Sequence, residues 1–240
     1  IHSLGMKVML KPHVDLVDEE ARSNIIPSDE WFASYKACVM HYAEFAAKYN
    51  VELYCIGTEL SNTTIDRWKA KWDDIIESVK KVYKGPLTYA ANWDEYDTVS
   101  FWPEMDYIGM DAYFPLTTKI NPPLDELVKA WDKQADVLEA WLKEKKLTQP
   151  VIFTEVGYDT IDGSNKQPWR ILPTLSTYKE SQDEQSNCLE SLFVSLSKRP
   201  WFKGFYWWNY FPRSDIGSLG YTLRGKKGEK ILVDWFKKLK

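Results

Sequence analysis

Short apolar runs recur along the chain and are separated by longer segments with a different spacing of apolar residues. The runs are rich in Val, Ile, Leu and aromatic residues, which is typical of strands buried in a sheet. We predict strands over residues 7–14, 51–57, 86–92, 105–113, 150–155 and 204–209.

The segments between these runs carry apolar residues at spacings of three and four, as the buried face of a helix does. We predict helices over residues 31–49, 68–82, 124–142, 181–198 and 226–238. Strands that alternate with helices form βαβ units and a parallel sheet. No linker, low-complexity tract or internal repeat interrupts the pattern, so we expect a single domain over residues 1–240.

Two parallel architectures fit this pattern, an open doubly wound sheet and most of a (β/α)8 barrel. A nucleotide-binding sheet would need a glycine-rich turn such as GxGxxG, which the chain lacks. Polar and aromatic groups instead stand at the ends of many strands, and they are His13, Asp15, Glu59, Asn92, Asp111, Tyr113, Glu155, Trp207 and Trp208. Functional groups spread over many strand ends are typical of a TIM barrel, which we predict here.

Composition excludes several classes of protein. The net charge is −4 and no Lys/Arg cluster has the density of a nucleic-acid site, so we expect no nucleic-acid partner. No apolar run is long enough to span a membrane. The three cysteines and three histidines are too scattered for a metal site, so we expect no metal or other cofactor.

Aromatic residues are abundant, with 12 Trp, 14 Tyr and 10 Phe among 240 residues. Flat sugar faces stack on aromatic rings, which suggests a carbohydrate ligand, but a large core is also rich in aromatic residues. Composition leaves both interpretations open.

Two apolar strands end in a glutamate, Glu59 in "VELYCIGTEL" and Glu155 in "PVIFTEVGYDT". A carboxylate beside a buried strand is costly unless it is paired or used. Two carboxylic acids on different strand ends are the minimum for glycoside hydrolysis, in which one protonates the leaving oxygen and the other attacks the anomeric carbon or activates water. A buried structural ion pair would explain the same pattern.

Six motifs in this order resemble the β-mannanases of glycoside hydrolase family 113, and they are "GMKVMLKPHVD", "CIGTEL", "LTYAANW", "DYIGMDAYFPL", "FTEVGY" and "GFYWWNY". The resemblance covers nearly the whole chain and implies a retaining (β/α)8-barrel glycosidase. It aligns the first predicted strand with barrel strand 3, so that barrel strands 1 and 2 would precede Ile1. We therefore expect a barrel without its first two βα units in this chain.

The resemblance also implies catalytic roles. Glu59 matches the acid/base at the end of barrel strand 4, and Glu155 matches the nucleophile on barrel strand 7. Tyr113 matches a position from which a phenol orients the nucleophile, with a plain pocket wall as the alternative. Thr58 stands where the wider clan has Asn, and its hydroxyl could still bond a sugar.

Further substrate contacts follow from the same resemblance, with His13 and Asn92 at positions that contact sugar. A satisfied core histidine is the alternative for His13. Trp207 and Trp208 alternate across the last strand, so we expect only one of them to form the floor of the −1 sugar site. The loop residues Trp93 and Trp169 are candidates to stack on outlying sugars.

Three other charged residues lie near the strand ends, and the sequence leaves their partners open. Lys11 and Asp15 could pair with each other or contact sugar, and Asp111 could be a structural partner buried under the site.

The sequence thus predicts a retaining glycoside hydrolase that cleaves β-1,4-mannosidic bonds in mannan or manno-oligosaccharides by double displacement. Its expected partner is a β-linked oligo- or polysaccharide, and we expect it to act as a monomer. A retaining β-glycanase with gluco- or xylo-specificity and a carbohydrate-binding chain without turnover are the alternatives.

Overall fold

A computed structural model describes residues 1–18, 20–170, 177–210 and 219–239. The strands in these ranges are β1 (Met9–Leu10), β2 (Leu53–Thr58), β3 (Leu87–Asn92), β4 (Ile108–Asp111), β5 (Val151–Val156) and β6 (Phe202–Trp207). The α-helices are α1 (Asp29–Lys48), α2 (Lys69–Val82), α3 (Leu124–Lys145), α4 (Gln182–Leu196) and α5 (Lys227–Lys238).

The strands are hydrogen-bonded in chain order from β1 to β6. The pairs β1–β2, β2–β3 and β3–β4 are parallel. Parallel strands in chain order, connected through helices, are the arrangement of a (β/α)8 barrel, of which the described residues form six strands. The predicted fold class, a TIM-type α/β barrel present in part, is confirmed.

The predicted helices are confirmed to within a few residues, but the outer limits of two strands were wrong. The run 7–14 forms a strand only at Met9–Leu10, because these are its only positions in register with β2. The run 105–113 forms a strand only over Ile108–Asp111, and its three paired positions with β3 end at Asp111. In both cases the apolar run is longer than the strand, because only part of the run is paired with the neighbouring strand.

The chain divides into two compact units. The first comprises Ile1–Asp111 with Leu147–Ile152, and it contains β1 to β4, α1, α2 and the start of β5. The second comprises Ala112–Lys146 with Phe153–Lys240, and it contains α3 to α5, β6 and the rest of β5.

Aromatic packing forms the core of the first unit around Trp72 of α2. Its indole stacks on Phe101 with ring centroids 4.7 Å apart and meets Tyr35 and Tyr89 edge-on. These rings lie against β2 at Gly57, where an added Cβ would stand 2.8 Å from the Tyr35 hydroxyl oxygen. The glycine two residues before Glu59 thus lets the aromatic core approach the strand closely.

Stacked aromatic pairs connect the helices of the second unit to their neighbours. Trp131 of α3 stacks on Phe153 of β5 with centroids 5.8 Å apart. Phe193 of α4 stacks on Trp235 of α5 with centroids 5.0 Å apart, beside the buried Leu189. Both pairs use the apolar helix faces that the sequence spacing predicts.

A buried carboxylate on α4 fixes the loops that follow β4 and β5. Glu184 is 1% exposed, and its Oε2 accepts from the backbone amides of Asn121 at 2.8 Å and Gly163 at 2.7 Å. Its Oε1 accepts from the backbone and side-chain nitrogens of Asn165 at 3.0 and 2.6 Å. Both oxygens are therefore occupied by two N–H donors each.

Among the described residues, no helix has both the length and the apolar character needed to cross a bilayer.

We predict that Glu184→Gln lowers the free energy of unfolding by about 2–4 kcal/mol, since either orientation of the new amide turns its NH2 group toward two N–H donors. Urea denaturation measures this loss. Asp183→Asn, one residue away and exposed, is the control and should change stability by less than about 0.5 kcal/mol. Equal stability of the two variants would contradict this role of Glu184.

Candidate active site

The glutamate at the end of β2 has a strained backbone. Glu59 follows the last strand residue and has φ +52°, in the left-handed region that non-glycine residues rarely adopt. Its own amide donates to the Ala90 carbonyl at 2.9 Å, and the next amide, that of Leu60, donates to the Tyr89 hydroxyl at 2.7 Å. Strain of this kind persists only where surrounding contacts determine the backbone, and it is concentrated at functional sites.

Arg22 connects Glu59 to Asp15 and His13 through hydrogen bonds. Its Nη1 donates to Glu59 Oε2 at 2.9 Å, and its Nε donates to Asp15 Oδ1 at 2.8 Å and to the Val14 carbonyl at 3.1 Å. Its Nη2 lies 3.0 Å from His13 Nδ1. A guanidinium has no acceptor, so His13 Nδ1 must accept and the ring proton is on Nε2. Arg22 therefore fixes both the Glu59 carboxylate and the tautomer of His13.

The loop that carries Arg22 is attached to the loop after β2. Arg22 begins a short 3₁₀ helix, Arg22–Asn24. The Asn62 side-chain amide, three residues after Glu59, donates to the Ser23 carbonyl at 2.5 Å. The loops that carry Arg22 and Glu59 are thus held together by a hydrogen bond between Asn62 and Ser23 as well as by the Arg22–Glu59 ion pair.

Three other predicted substrate contacts lie on the same unit. Thr58 is the last residue of β2 and is 2% exposed. Asn92 ends β3 and is half-buried, with its side-chain Oδ1 accepting from the Trp93 amide at 2.9 Å. Trp93 begins the loop after β3 and is also half-buried. Their roles stay predictions.

Lys11 and Asp15 each form an ion pair with another residue of the first unit. Lys11 Nζ donates to both carboxylate oxygens of Asp111 at 2.9 Å, and the Asp111 side chain is fully buried. Asp15 bonds Arg22 instead. Lys11 thus pairs with Asp111, which is the buried partner that the sequence indicated, and Asp15 pairs with Arg22.

The buried carboxylate of Glu95 is hydrogen-bonded to the loop that follows Glu59. Glu95 is 4% exposed, and it accepts from the Tyr89 hydroxyl at 2.7 Å and from Ser61 Oγ at 2.8 Å. Burial raises the pKa of its carboxyl to about 7, while the hydrogen bonds from Tyr89 and Ser61 act in the opposite direction. The Tyr89 hydroxyl thus links Glu95 to the amide of Leu60.

The second unit holds the other predicted catalytic glutamate. Glu155 lies within β5, is 8% exposed, and accepts a 2.8 Å hydrogen bond at Oε2 from the Tyr113 hydroxyl. Its carbonyl accepts from the Ala112 amide at 2.7 Å, which fixes the chain just before Tyr113. A phenol donor and a backbone anchor therefore orient this carboxylate.

Close backbone packing follows Glu155. A Cβ at Gly157 would collide with the carbonyl oxygen of Trp208, and the Trp208 amide donates to the Val156 carbonyl at 2.8 Å. The glycine of "EVGY" thus allows the chain that leaves β6 to lie against the end of β5.

The two adjacent tryptophans at the end of β6 have different surroundings. Trp207 packs against the cluster of Leu189, Phe193 and Leu223, and its indole N–H donates to the Tyr221 carbonyl at 2.8 Å. Trp208 follows the strand and is 38% exposed. Trp169 is exposed to a similar extent, at 39%.

Tyr221 is a neighbour of Glu155 that the sequence did not indicate. Its ring meets that of Tyr113 edge-on at 6.3 Å, and its hydroxyl donates to the Pro168 carbonyl at 2.6 Å. Burial raises the pKa of the Tyr221 hydroxyl, and the charges of Asp159 and Glu155 add to this effect. Burial also raises the pKa of Asp159, to about 7, against the opposing charge of Lys226.

Sequence reasoning missed Arg22 and Glu95 as well as Tyr221. None of the three belongs to a strand-end motif, and Arg22 is 37 positions from the carboxylate it contacts. "EYDTVS" places Glu95 in a polar loop, so only the structure shows that aromatic groups cover it. Within the ranges given above, no group of three or more His, Cys, Asp or Glu side chains has the geometry of a metal site.

Comparison with known families gives a match over most of the chain. The sequence model of Glycoside Hydrolase Family 113 matches residues 1–215. No curated protein sequence gives a match.

Solved structures of that family are similar to this chain. The β-mannanase AaManA from Alicyclobacillus acidocaldarius, in complex with ManMIm, has 29% identity and a TM-score of 0.83, over 100% of this chain and 75% of that chain. A complex of a GH113 β-1,4-mannanase has 28% identity and a TM-score of 0.82, over 98% and 75% of the two chains. A β-glucuronidase from Ruminococcus gnavus has 18% identity and a TM-score of 0.64, over 86% and 36%, and it shares the fold alone.

The raised pKa of Glu95 predicts a pH-dependent stability. Because the folded-state pKa of about 7 exceeds the ordinary value of 4.5, the contribution of Glu95 is fully present below pH 4.5 and is lost as pH rises through 7. Glu95→Gln does not titrate, so its stability relative to the wild type should rise over this interval, by roughly 2–3 kcal/mol.

Urea denaturation of both proteins at several pH values measures this difference. Glu77→Gln, exposed on α2, is the control and should show no such trend. A constant difference between Glu95→Gln and the wild type from pH 4.5 to 7 would contradict the raised pKa of Glu95.

Proposed function

The chain belongs to Glycoside Hydrolase Family 113, and from this premise we propose that it is a retaining β-1,4-mannanase acting on mannan or manno-oligosaccharides. The observation that carries the proposal is the hydrogen bond from the Tyr113 hydroxyl to the buried Glu155 carboxylate. In this proposal residues 1–240 act as a catalytic domain whose β1 to β6 correspond to barrel strands 3 to 8, and the protein acts as a monomer.

Glu155 is the proposed nucleophile. It attacks the anomeric carbon as the aglycone leaves, and a covalent glycosyl-enzyme forms. Its burial limits competing hydration, and the Tyr113 hydroxyl holds one oxygen so that the other can point at the sugar. A phenol donor suits this task, because it orients a carboxylate without neutralising its charge.

Glu59 is the proposed acid/base. Protonated, it donates to the leaving oxygen in the first step, and as a carboxylate it takes a proton from the attacking water in the second step. The ion pair with Arg22 suits the carboxylate form of the second step. In the proposal, entry of the substrate loosens this ion pair so that Glu59 can be protonated for the first step.

Substrate contacts are proposed for the polar and aromatic groups near the two glutamates. His13 offers its Nε2–H as a donor, because Nδ1 accepts from Arg22. Asn92, Thr58, Tyr113 and Trp93 are retained as predicted contacts. Of the two tryptophans at the end of β6 we favour Trp208 for the sugar floor, because the indole of Trp207 is in contact with Leu189 and bonded to the Tyr221 carbonyl. Trp207 then has a structural role beside Trp208.

Mannan specificity is supported by the mannanases that the chain resembles at 28–29% identity. Recognition of the axial 2-hydroxyl of mannose is what separates this specificity from gluco- or xylo-specificity.

We predict that the protein cleaves β-1,4-mannohexaose in preference to cello- and xylohexaose, and that Glu155→Gln abolishes cleavage by lowering kcat at least about 10³-fold. Chromatography of the released sugars measures this. Glu180→Gln makes the same carboxylate-to-amide change at an exposed position, so it is the matched control and should retain activity. Preferred cleavage of another hexaose would contradict the specificity, and full activity of Glu155→Gln would contradict the proposed nucleophile.

Tyr113→Phe removes the donor to Glu155 while keeping the ring. We predict that kcat falls about ten- to hundredfold and that KM changes little, because the orientation of the nucleophile matters most in the transition state. Steady-state kinetics on mannohexaose measure both constants. A rise in KM with unchanged kcat would show that Tyr113 is a binding wall rather than an orienting group.

A further inference from the structure

The strained backbone of Glu59 is held from both sides by neighbouring residues of one strand. The amide before its Cα donates to the Ala90 carbonyl, and the amide after it donates to the side-chain hydroxyl of Tyr89. Tyr89 and Ala90 are consecutive in β3. One contact is the ordinary pairing of parallel strands, and the other is a side chain that takes the place of a backbone acceptor.

The Tyr89 hydroxyl is itself fixed. It accepts from the Leu60 amide at 2.7 Å, so its proton has to point elsewhere, and it points to Glu95 Oε1 at 2.7 Å. Ser61 Oγ donates to the other oxygen of Glu95 at 2.8 Å. Leu60 and Tyr89 are fully buried, so water does not replace a lost partner.

The backbone of Glu95 is held as firmly as its side chain. Its amide donates to the Asn92 carbonyl at 3.0 Å, and its carbonyl accepts from the Thr98 amide at 3.0 Å and the Thr98 hydroxyl at 2.9 Å. The loop after β3 therefore presents Glu95 in one place.

From these contacts we propose that Tyr89 and Glu95 are positioning residues that keep the backbone of Glu59 in its left-handed conformation and so aim its carboxyl group at the leaving oxygen. The proposal rests on the proposed role of Glu59 as acid/base. Without the Tyr89 hydroxyl, the Leu60 amide loses its buried acceptor, and Glu59 relaxes toward the backbone conformations that glutamate prefers. The carboxyl group then moves with its Cα.

A pair of substrates separates this effect from a general loss of folding. In an aryl β-mannobioside, a 2,4-dinitrophenolate leaving group departs without being protonated, whereas a phenolate leaving group needs a proton from Glu59. The constant kcat/KM reports the first chemical step for both. The ratio of the two values does not depend on how much of the protein is active.

We expect Tyr89→Phe to lower kcat/KM for the phenyl glycoside about ten- to hundredfold, and to change that for the dinitrophenyl glycoside less than about threefold. Glu95→Gln keeps an acceptor for the Tyr89 proton, and its ratio should shift in the same direction by less. Tyr54→Phe is the matched control: Tyr54 is also fully buried, and its hydroxyl donates to the Val39 carbonyl at 2.7 Å. Its ratio should equal that of the wild type.

An unchanged ratio in Tyr89→Phe would overturn the proposal, as would a larger shift in Glu95→Gln than in Tyr89→Phe. If the wild-type protein hydrolyses neither glycoside, the proposed function fails, and amide exchange of Leu60 by NMR decides the positioning claim. Exchange at least tenfold faster in Tyr89→Phe, but not in Tyr54→Phe, supports the positioning contact; unchanged exchange in Tyr89→Phe overturns it.

Discussion

Carboxylates lose much of their hydration inside an aromatic interior, and hydrogen-bond donors must offset this loss. The structure meets this constraint in a different way at each site. Asp111 receives the ammonium of Lys11, Glu184 receives four N–H groups, and Glu155 receives the Tyr113 phenol. Glu95 accepts from the hydroxyl groups of Tyr89 and Ser61, and burial raises its pKa to about 7. The buried carboxylates therefore differ in the type and number of the donors that compensate them.

The surroundings of the two proposed catalytic glutamates differ in the same terms. Glu155 is buried and has a neutral donor, which suits a nucleophile that must keep its charge and its orientation. Glu59 is more exposed, with 26% of its side chain accessible, and its donor is the charged Arg22 on a loop. A group that gains and loses a proton in each cycle needs such access. The positive φ of Glu59 and the two contacts of its flanking amides with β3 fix the backbone position of this proposed acid/base.

The sequence predicts the helices, the parallel order of the strands and the positions of Glu59 and Glu155 at strand ends. It can do so because these features depend on local periodicity and on where each apolar run ends. It also contains the glycines of "IGTEL" and "EVGY", whose purpose only the structure reveals. Gly57 leaves room for the Tyr35 hydroxyl, and Gly157 leaves room for the carbonyl of Trp208, just after β6. The contact between Arg22 and Glu59 was beyond prediction, since no spacing rule connects a loop after β1 with the end of β2. The true length of β1 was equally hidden, because its partner strand sets it.

If Glu155 forms a covalent bond to the sugar, as we propose, a 2-deoxy-2-fluoro-β-mannosyl compound that carries a good leaving group should trap it. The fluorine slows both steps, and the leaving group restores the first, so the glycosyl-enzyme accumulates. Peptide mass spectrometry should find the added sugar on Glu155 and nowhere else. A label on a different carboxylate, or turnover of mannohexaose with inversion and no label, would contradict the account.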